Sequence, residues 1–419
     1  MEDRRSRLSR EGVAGFATVA RMANQAFIKN LNERRLLTLL RVEQRLTRSD
    51  IARRLGLTRS TVTNLVDGLA ALDLVAEVPE ASAARASRTA HAARPDMGRP
   101  GIDVALHPPG SYFIGVEIGV GQMRMVLLDM ALQVCRQEEL AVAEESSPAQ
   151  VLQRIADFLR RCRAGVAQPE RLRSLCVTVP GLVRRDGFIV HLPILGWRDV
   201  NFLAMAAEQL DLPVLIDNNA HAAAFGEVYG HPKASRDLIV FLKLGNGCGG
   251  AAIVNGRLLR GSSGTAAEFG HLRVASDGLR CSCGARGCLE PTVNLGALAH
   301  YVSQARFTGG TDPAAVIAAA QQGDPRAKAV LAEYARALGL GLVSLTNTFN
   351  PSDIVVGGSL QPLVHACLPA LQNLVRDGIV PGMEIPVVSV SRNGLYECAI
   401  GAAALAHQQA FDEACVGLA

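Results

Sequence analysis

The chain has 419 residues, 49% of them hydrophobic and 20% charged, with 40 glycines and only 4% aromatic side chains. That balance excludes global disorder and leaves room for several domains of roughly 100–200 residues, each with a sizeable core. The net charge of +4 is uneven: residues 1–104 carry 18 basic against 12 acidic side chains and the remainder 25 against 27, which on charge alone fits a polyanion partner for the N-terminal part and a merely solubilising arginine surface equally.

The chain opens on MEDRRSRLSR with no apolar run behind it, and no stretch of about 18 uninterrupted apolar residues follows. Neither a secretory leader nor a membrane span is read, and the expected setting is the reducing cytoplasm. The ten cysteines fit that setting, because three crowd into positions 281–288 and the rest are scattered, unlike a disulfide framework.

Residues 1–32 form a basic polar arm. Residues 33–106 read as a winged helix-turn-helix. Thr47 is placed to cap a helix, with Asp50 three residues on as in a capping box. Ile51 and Leu55 are an i, i+4 apolar pair, and Gly56 ends the helix at a tight turn. A second helix starts near Thr58 with Val62, Leu65, Val66 and Leu69 facing inward. Its outward residues Arg59, Ser60, Thr61, Thr63 and Asn64 are short polar groups and one arginine, suited to base edges and phosphates in a major groove. Residues 74–78 and 102–106 read as paired strands, with 79–100 as a long wing. There Gly98-Arg99-Pro100 presents Arg99 to a minor groove, although the tripeptide serves equally as a plain turn.

From Tyr112 the texture becomes α/β. A strand hairpin (112–130), a helix (148–163), the strand SLCVTVPG, a helix near 199–210 and the strand PVLIDNN form a first half. A second half repeats that order: the hairpin DLIVFLKLGNGCGGAAIVNG, helices across 292–348, the strand DIVVGGSL, a helix, PVVSVS and a closing helix at 398–410. Within it, His271, Cys281, Cys283 and Cys288 supply one imidazole and three thiols at a spacing that fits a closed tetrahedral zinc site of structural type. Gly284 and Gly287 let that loop, 271–290, fold back on itself.

These motifs resemble the ROK family (repressor, open reading frame, kinase), which holds sugar kinases and sugar-sensing repressors. The carrying residues are GSSGTAAEFGH (261–271), CSCGARGCLE (281–290), LIDNNAHAAAFGE (215–227), the glycine-rich 242–261 and IVVGGSL (354–360). The resemblance covers essentially the whole chain. It implies a two-lobed hexokinase/actin-like (ribonuclease H-like) domain over 107–419 behind a repressor-type winged helix. It also implies sugar contacts at Asn218, Asn219, Glu268, His271 and Glu290. Those side chains offer the mixed donors and acceptors that sugar hydroxyls need. Read without the family, the asparagine pair serves equally as a turn cap and Glu268 as half of an ion pair.

Kinases of the family carry an aspartate after the asparagine, as the base for the attacking hydroxyl. Asn219 stands there, and a carboxamide has no basic site near neutral pH. Their DxGGT phosphate motif reads Glu117-Ile118-Gly119-Val120-Gly121 here. The second glycine turn, residues 245–250, keeps backbone N–H groups able to cradle an anion. The expected function is a DNA-binding regulator, a repressor, that reads double-stranded operator DNA as a homodimer or homotetramer and responds to a sugar or sugar phosphate. The alternatives are an ATP-dependent sugar kinase with an appended DNA-binding domain, and a zinc-stabilised scaffold for protein partners.

Overall fold

The computed structural model describes residues 27–78, 102–184, 186–192, 195–229 and 237–414. Nearly all of the expected arm, and the wing 79–100 with Arg99, lie outside them. The chain divides into two compact units. One runs to Tyr112 and includes Asp129–Gln133 and the residues from His407; the other comprises Phe113–Leu128 and Val134–Ala406.

In the first unit two threonines set where the helices begin. Thr47 and Thr58 both lie in extended backbone, and each hydroxyl accepts an N–H three residues on, from Asp50 and Thr61. That satisfies one orphan donor at each helix start. The helices are Arg48–Leu55 and Arg59–Ala71, joined through Gly56 at φ +66°, a left-handed conformation that a Cβ disfavours. A preceding helix spans residues 27–43. The expected strand pair forms as β2 (Val75–Val78) against β3 (Asp103–Leu106). A third strand not read from the sequence, β1 (Arg45–Thr47), adds to the other edge of β3. Its three residues are too few to show alternation. Leu36, Leu40, Ile51, Val62, Leu65, Val66, Val75 and Val104 form the core, joined by Met130.

The second unit is built on two five-stranded sheets. The first has the order β11-β7-β4-β5-β6, from β4 (Tyr112–Ile118), β5 (Gln122–Asp129), β6 (Val134–Ala141), β7 (Leu172–Val179) and β11 (Val214–Asn218). The second has the order β14-β13-β12-β15-β16, from β12 (Leu238–Leu244), β13 (Cys248–Val254), β14 (Arg257–Leu258), β15 (Asp353–Gly357) and β16 (Val387–Val390). A small sheet of β8 (Leu182–Val183), β9 (Ile189–Leu192) and β10 (Trp197–Val200) lies in a stretch left unassigned from sequence. The long helix Pro325–Phe349 meets the length and composition of a membrane span. Its inner face, with Val330, Tyr334, Leu338, Leu342 and Leu345, belongs to the core around β12 and β15.

Strand ends position the chemistry. Parallel pairing of β11 with β7 and of β12 with β15 brings Asn218, Lys243 and Gly357 to the carboxyl ends of their strands, and Glu117 lies one residue before the end of β4. In open α/β sheets that end is where ligands bind.

Two variants separate core from cap in the first unit. Ile51 is fully buried, so Ile51→Ala is expected to lose about 2–5 kcal/mol. Thr58→Ala, removing only a helix cap, is expected to lose about 1 kcal/mol. Urea unfolding followed by circular dichroism checks the order; a cap loss equal to the core loss contradicts it.

Candidate functional site

The second helix of the helix-turn-helix turns a polar face outward. Arg59, Ser60, Thr63 and Asn64 are exposed, while Thr61 is half-buried with its hydroxyl 2.8 Å from that of Thr58. The Thr63 hydroxyl donates to the Arg59 carbonyl. Arg48 is spent on Asp67 (2.8 Å) and Glu77 (3.0 Å), tying the first helix to the second and to β2. Arg59 thus leads the exposed face at the helix N-terminus, where positive charge and free N–H groups favour phosphate.

The loop 271–290 brings its four expected metal ligands together. One donor atom from each of His271, Cys281, Cys283 and Cys288 lies within 4.8 Å of the others. The His271 Nδ1 is 3.4 Å from Cys281 Sγ, and the sulfurs of Cys283 and Cys288 are 3.9 Å apart. A tetrahedral ion with metal–sulfur bonds of about 2.3 Å spaces its thiolates about 3.8 Å apart, so the donor set fits such an ion closely. The loop depends on Gly287: at φ +78°, an added Cβ lies 1.9 Å from the Ala275 carbonyl oxygen.

Glu290 leaves this loop and joins it to the glycine turn. Its Oε1 accepts from Ser282 Oγ at 2.6 Å, beside the thiol of Cys281, and its Oε2 accepts the Cys248 N–H at 3.2 Å. Glu268 is solvent-accessible, and the His271 N–H donates to its carbonyl. Partial desolvation raises the Glu268 carboxyl pKa above its usual value; Glu290 adds to the rise, and His271 and His221 oppose it.

The two asparagines have different tasks. The Asn218 Oδ1 accepts from the Ala220 N–H at 2.7 Å, capping helix Asn219–Tyr229, and its Nδ2 donates to the Gly181 carbonyl. Asn219 is buried at the first residue of that helix. Its Nδ2 donates to the Ile118 carbonyl at 3.1 Å, and its Oδ1 has no hydrogen-bond donor among the described residues.

Two charge clusters were missed by sequence reading. Asp217 pairs with Arg260 at 2.6 Å and with His221 Nδ1 at 3.2 Å. Burial alone raises the Asp217 carboxyl pKa, but hydrogen bonds from His221 and Arg260 outweigh it and hold it at about 2. The second cluster links the two large sheets. Lys243 Nζ lies 3.4 Å from Glu117 Oε1, and Arg124 lies 3.6 Å from Glu117 Oε2. Close by, Glu397 is pushed up to about 7 by burial, with Lys243 opposing and Glu117 adding to the shift. The available signal was a lone lysine in LIVFLKL and a lone acid in YFIGVEI, each a charge inside an apolar strand.

The ROK family model matches residues 113–409, and the MarR family model matches residues 30–86. The xylose repressor of Bacillus subtilis (strain 168) is 28% identical over 342 residues, covering 81% of this chain and 85% of the relative. A glucokinase of Streptomyces coelicolor is 31% identical over 315 residues, covering 70% of this chain and 97% of the relative. Among solved structures, a ROK family transcriptional regulator described as a homolog of the E. coli MLC protein aligns with TM-score 0.75 and 23% identity. That alignment covers 93% of this chain and 98% of the other.

The Asp217 cluster makes an acid-stability prediction. Its folded pKa of about 2 lies below the ordinary carboxylate value, so its contribution is present above pH about 4 and is lost as pH falls towards 2. The shift corresponds to about 2 kcal/mol. Denaturation between pH 5 and pH 2, in the protein and in Asp217→Asn, is expected to show a shallower acid limb in the variant; identical limbs contradict the pairing.

Proposed function

This chain belongs to the ROK family, and we propose that it is a sugar-responsive transcriptional repressor, built as a MarR-type winged helix ahead of a sugar-kinase-like domain that binds its effector without phosphorylating it. The observation that carries this reading is a helix with an outward polar face, Arg59, Ser60, Thr63 and Asn64, in the same chain as an amide at the kinase base position. Arg99 and the wing supply further DNA contacts in this reading, and the arm 1–32 adds charge. The domain boundaries that go with it are 33–106 for the winged helix and 107–419 for the kinase-like part. The setting is the cytoplasm.

The effector is a sugar or sugar phosphate. Asn219 supports this by its place beside the carboxyl ends of β4 and β11, with an Oδ1 that has no hydrogen-bond donor among the described residues. Asn218, Glu268, His271 and Glu290 complete the proposed contact set, with Asn218 and Glu290 acting partly through the backbone they hold. Paired helix-turn-helix modules of a homodimer or homotetramer read an operator of repeated half-sites. Effector binding shifts the population of quaternary arrangements and so the operator affinity. The His271–Cys281–Cys283–Cys288 group holds structural zinc. Four protein ligands leave no open position for water, and the ion's contribution is to fix the loop that ends at Glu290.

Three measurements test this reading. With an operator selected from random duplex DNA, Arg59→Ala or Asn64→Ala is expected to weaken binding about tenfold or more at fixed salt while sugar binding is unchanged. Equal loss of both functions points to misfolding and counts against the assignment. A coupled ADP-release assay over a panel of hexoses is expected to show no turnover; a rate on the order of 1 s⁻¹ assigns a kinase instead. For the metal, elemental analysis is expected to find about one zinc per chain, lost in Cys288→Ala together with a lower Tm. A metal-free native protein of unchanged stability removes the zinc assignment.

A further inference from the structure

We infer that His221 is a positioning residue for the effector site: its imidazole clamps the loop 260–268 so that Glu268 is held ready for the ligand. The inference deepens the function proposed above, and its ligand arm rests on that reading.

His221 lies on the first turn of helix Asn219–Tyr229, 3% exposed. Its Nδ1 is 3.2 Å from Asp217 Oδ1, and its Nε2 is 3.2 Å from the Ala266 carbonyl oxygen. Each ring nitrogen thus faces an oxygen, the Asp217 carboxylate on one side and the Ala266 carbonyl on the other. Asp217 is anchored in turn by Arg260, at the start of the same loop. One node of three side chains therefore grips the loop at Arg260 and at Ala266, six residues apart in sequence.

The gripped stretch is one that does not hold its shape unaided. Ala267 sits at φ +69°, in the left-handed region that a residue with Cβ disfavours, and Gly261 and Gly264 also have positive φ. Such backbone persists only where its surroundings over-determine it. From below, the Ala267 carbonyl oxygen lies against Gly250, where an added Cβ falls 2.4 Å from it. From the side, His221 holds the preceding carbonyl. Glu268 follows directly, and its carboxyl lies within the electrostatic reach of His221. Removing the ring donors frees Ala266, lets Ala267 relax, and re-aims Glu268.

The test uses the full-length, zinc-supplemented protein and two variants, His221→Phe, which keeps a planar ring without donors, and His221→Gln, which keeps one donor. Hydrogen–deuterium exchange of amides 262–269 without any ligand is expected to rise about tenfold in His221→Phe and clearly less in His221→Gln. Exchange in helix Asn219–Tyr229 and in β12 is expected to stay as in the native protein. An unchanged loop in His221→Phe overturns the clamp, and so does a uniform rise across the chain. The second arm measures calorimetric binding of D-xylose and D-glucose, with about tenfold weaker binding expected in His221→Phe and partial rescue in His221→Gln. If the native protein binds neither sugar nor their phosphates, the effector reading fails, while the exchange arm still decides the clamp.

Discussion

Charge neutralisation inside the kinase-like unit is the constraint from which its arrangement follows. An isolated ionised carboxylate cannot be buried at acceptable cost, so each one in the interior needs a cation or several hydrogen bonds. Asp217 meets Arg260 and His221, Glu117 meets Lys243 and Arg124, and Glu227 accepts from Ser391, Arg392 and Asn393. These groups come from strands, helices and loops that are far apart in sequence. Satisfying them fixes how β4, β11, β12 and the residues after β16 are placed around the strand ends. Apolar packing supplies the bulk of the stability, but it tolerates substitution and sliding in a way that paired charges do not.

The two units differ in how far local chemistry dictates them. In the winged helix, Thr47, Gly56 and Thr58 act on backbone groups within four residues, and the inward set Val62, Leu65, Val66 and Leu69 repeats at helical spacing. Such signals are complete in the sequence, and the starts of these two helices are accordingly legible to within a residue, whereas the preceding helix, residues 27–43, runs across the boundary expected between arm and winged helix. The four-donor loop was legible for a related reason: its thiols are close in sequence, and only one donor, His271, has to return from a distance of ten residues. The edge strands β1 and β6 and the small sheet β8-β9-β10 were not legible. Their pairing partners, not their composition, make them strands, and a run such as Arg45–Thr47 carries no period of its own.

The proposed effector site was only half legible. The resemblance named Asn218, Asn219, Glu268, His271 and Glu290 as sugar contacts, but motifs do not say which lone pairs remain free. Asn218 spends both ends of its amide on backbone, and Glu290 spends both oxygens joining the metal loop to the glycine turn. Among the described residues, Asn219 keeps an acceptor unspent. His221 and Arg260 gave no local signal, because their importance lies in both reaching the one carboxylate of Asp217.

In the proposed reading, the amide at position 219 is the point at which the site departs from catalysis without losing its fold. Its Nδ2 donates to the Ile118 carbonyl oxygen at the end of β4, a position three per cent exposed. A carboxylate in the same place sets one of its oxygens against that carbonyl, two acceptors with no hydrogen between them, in an environment too dry for water to relieve the contact cheaply. The amide removes that conflict and in the same step removes proton-accepting capacity. What remains is a desolvated acceptor oxygen, which in the proposed reading meets a hydroxyl of the effector but cannot take its proton. Recognition without turnover is what a reporter of sugar abundance requires, since a sensor that consumes its signal perturbs the concentration it reads.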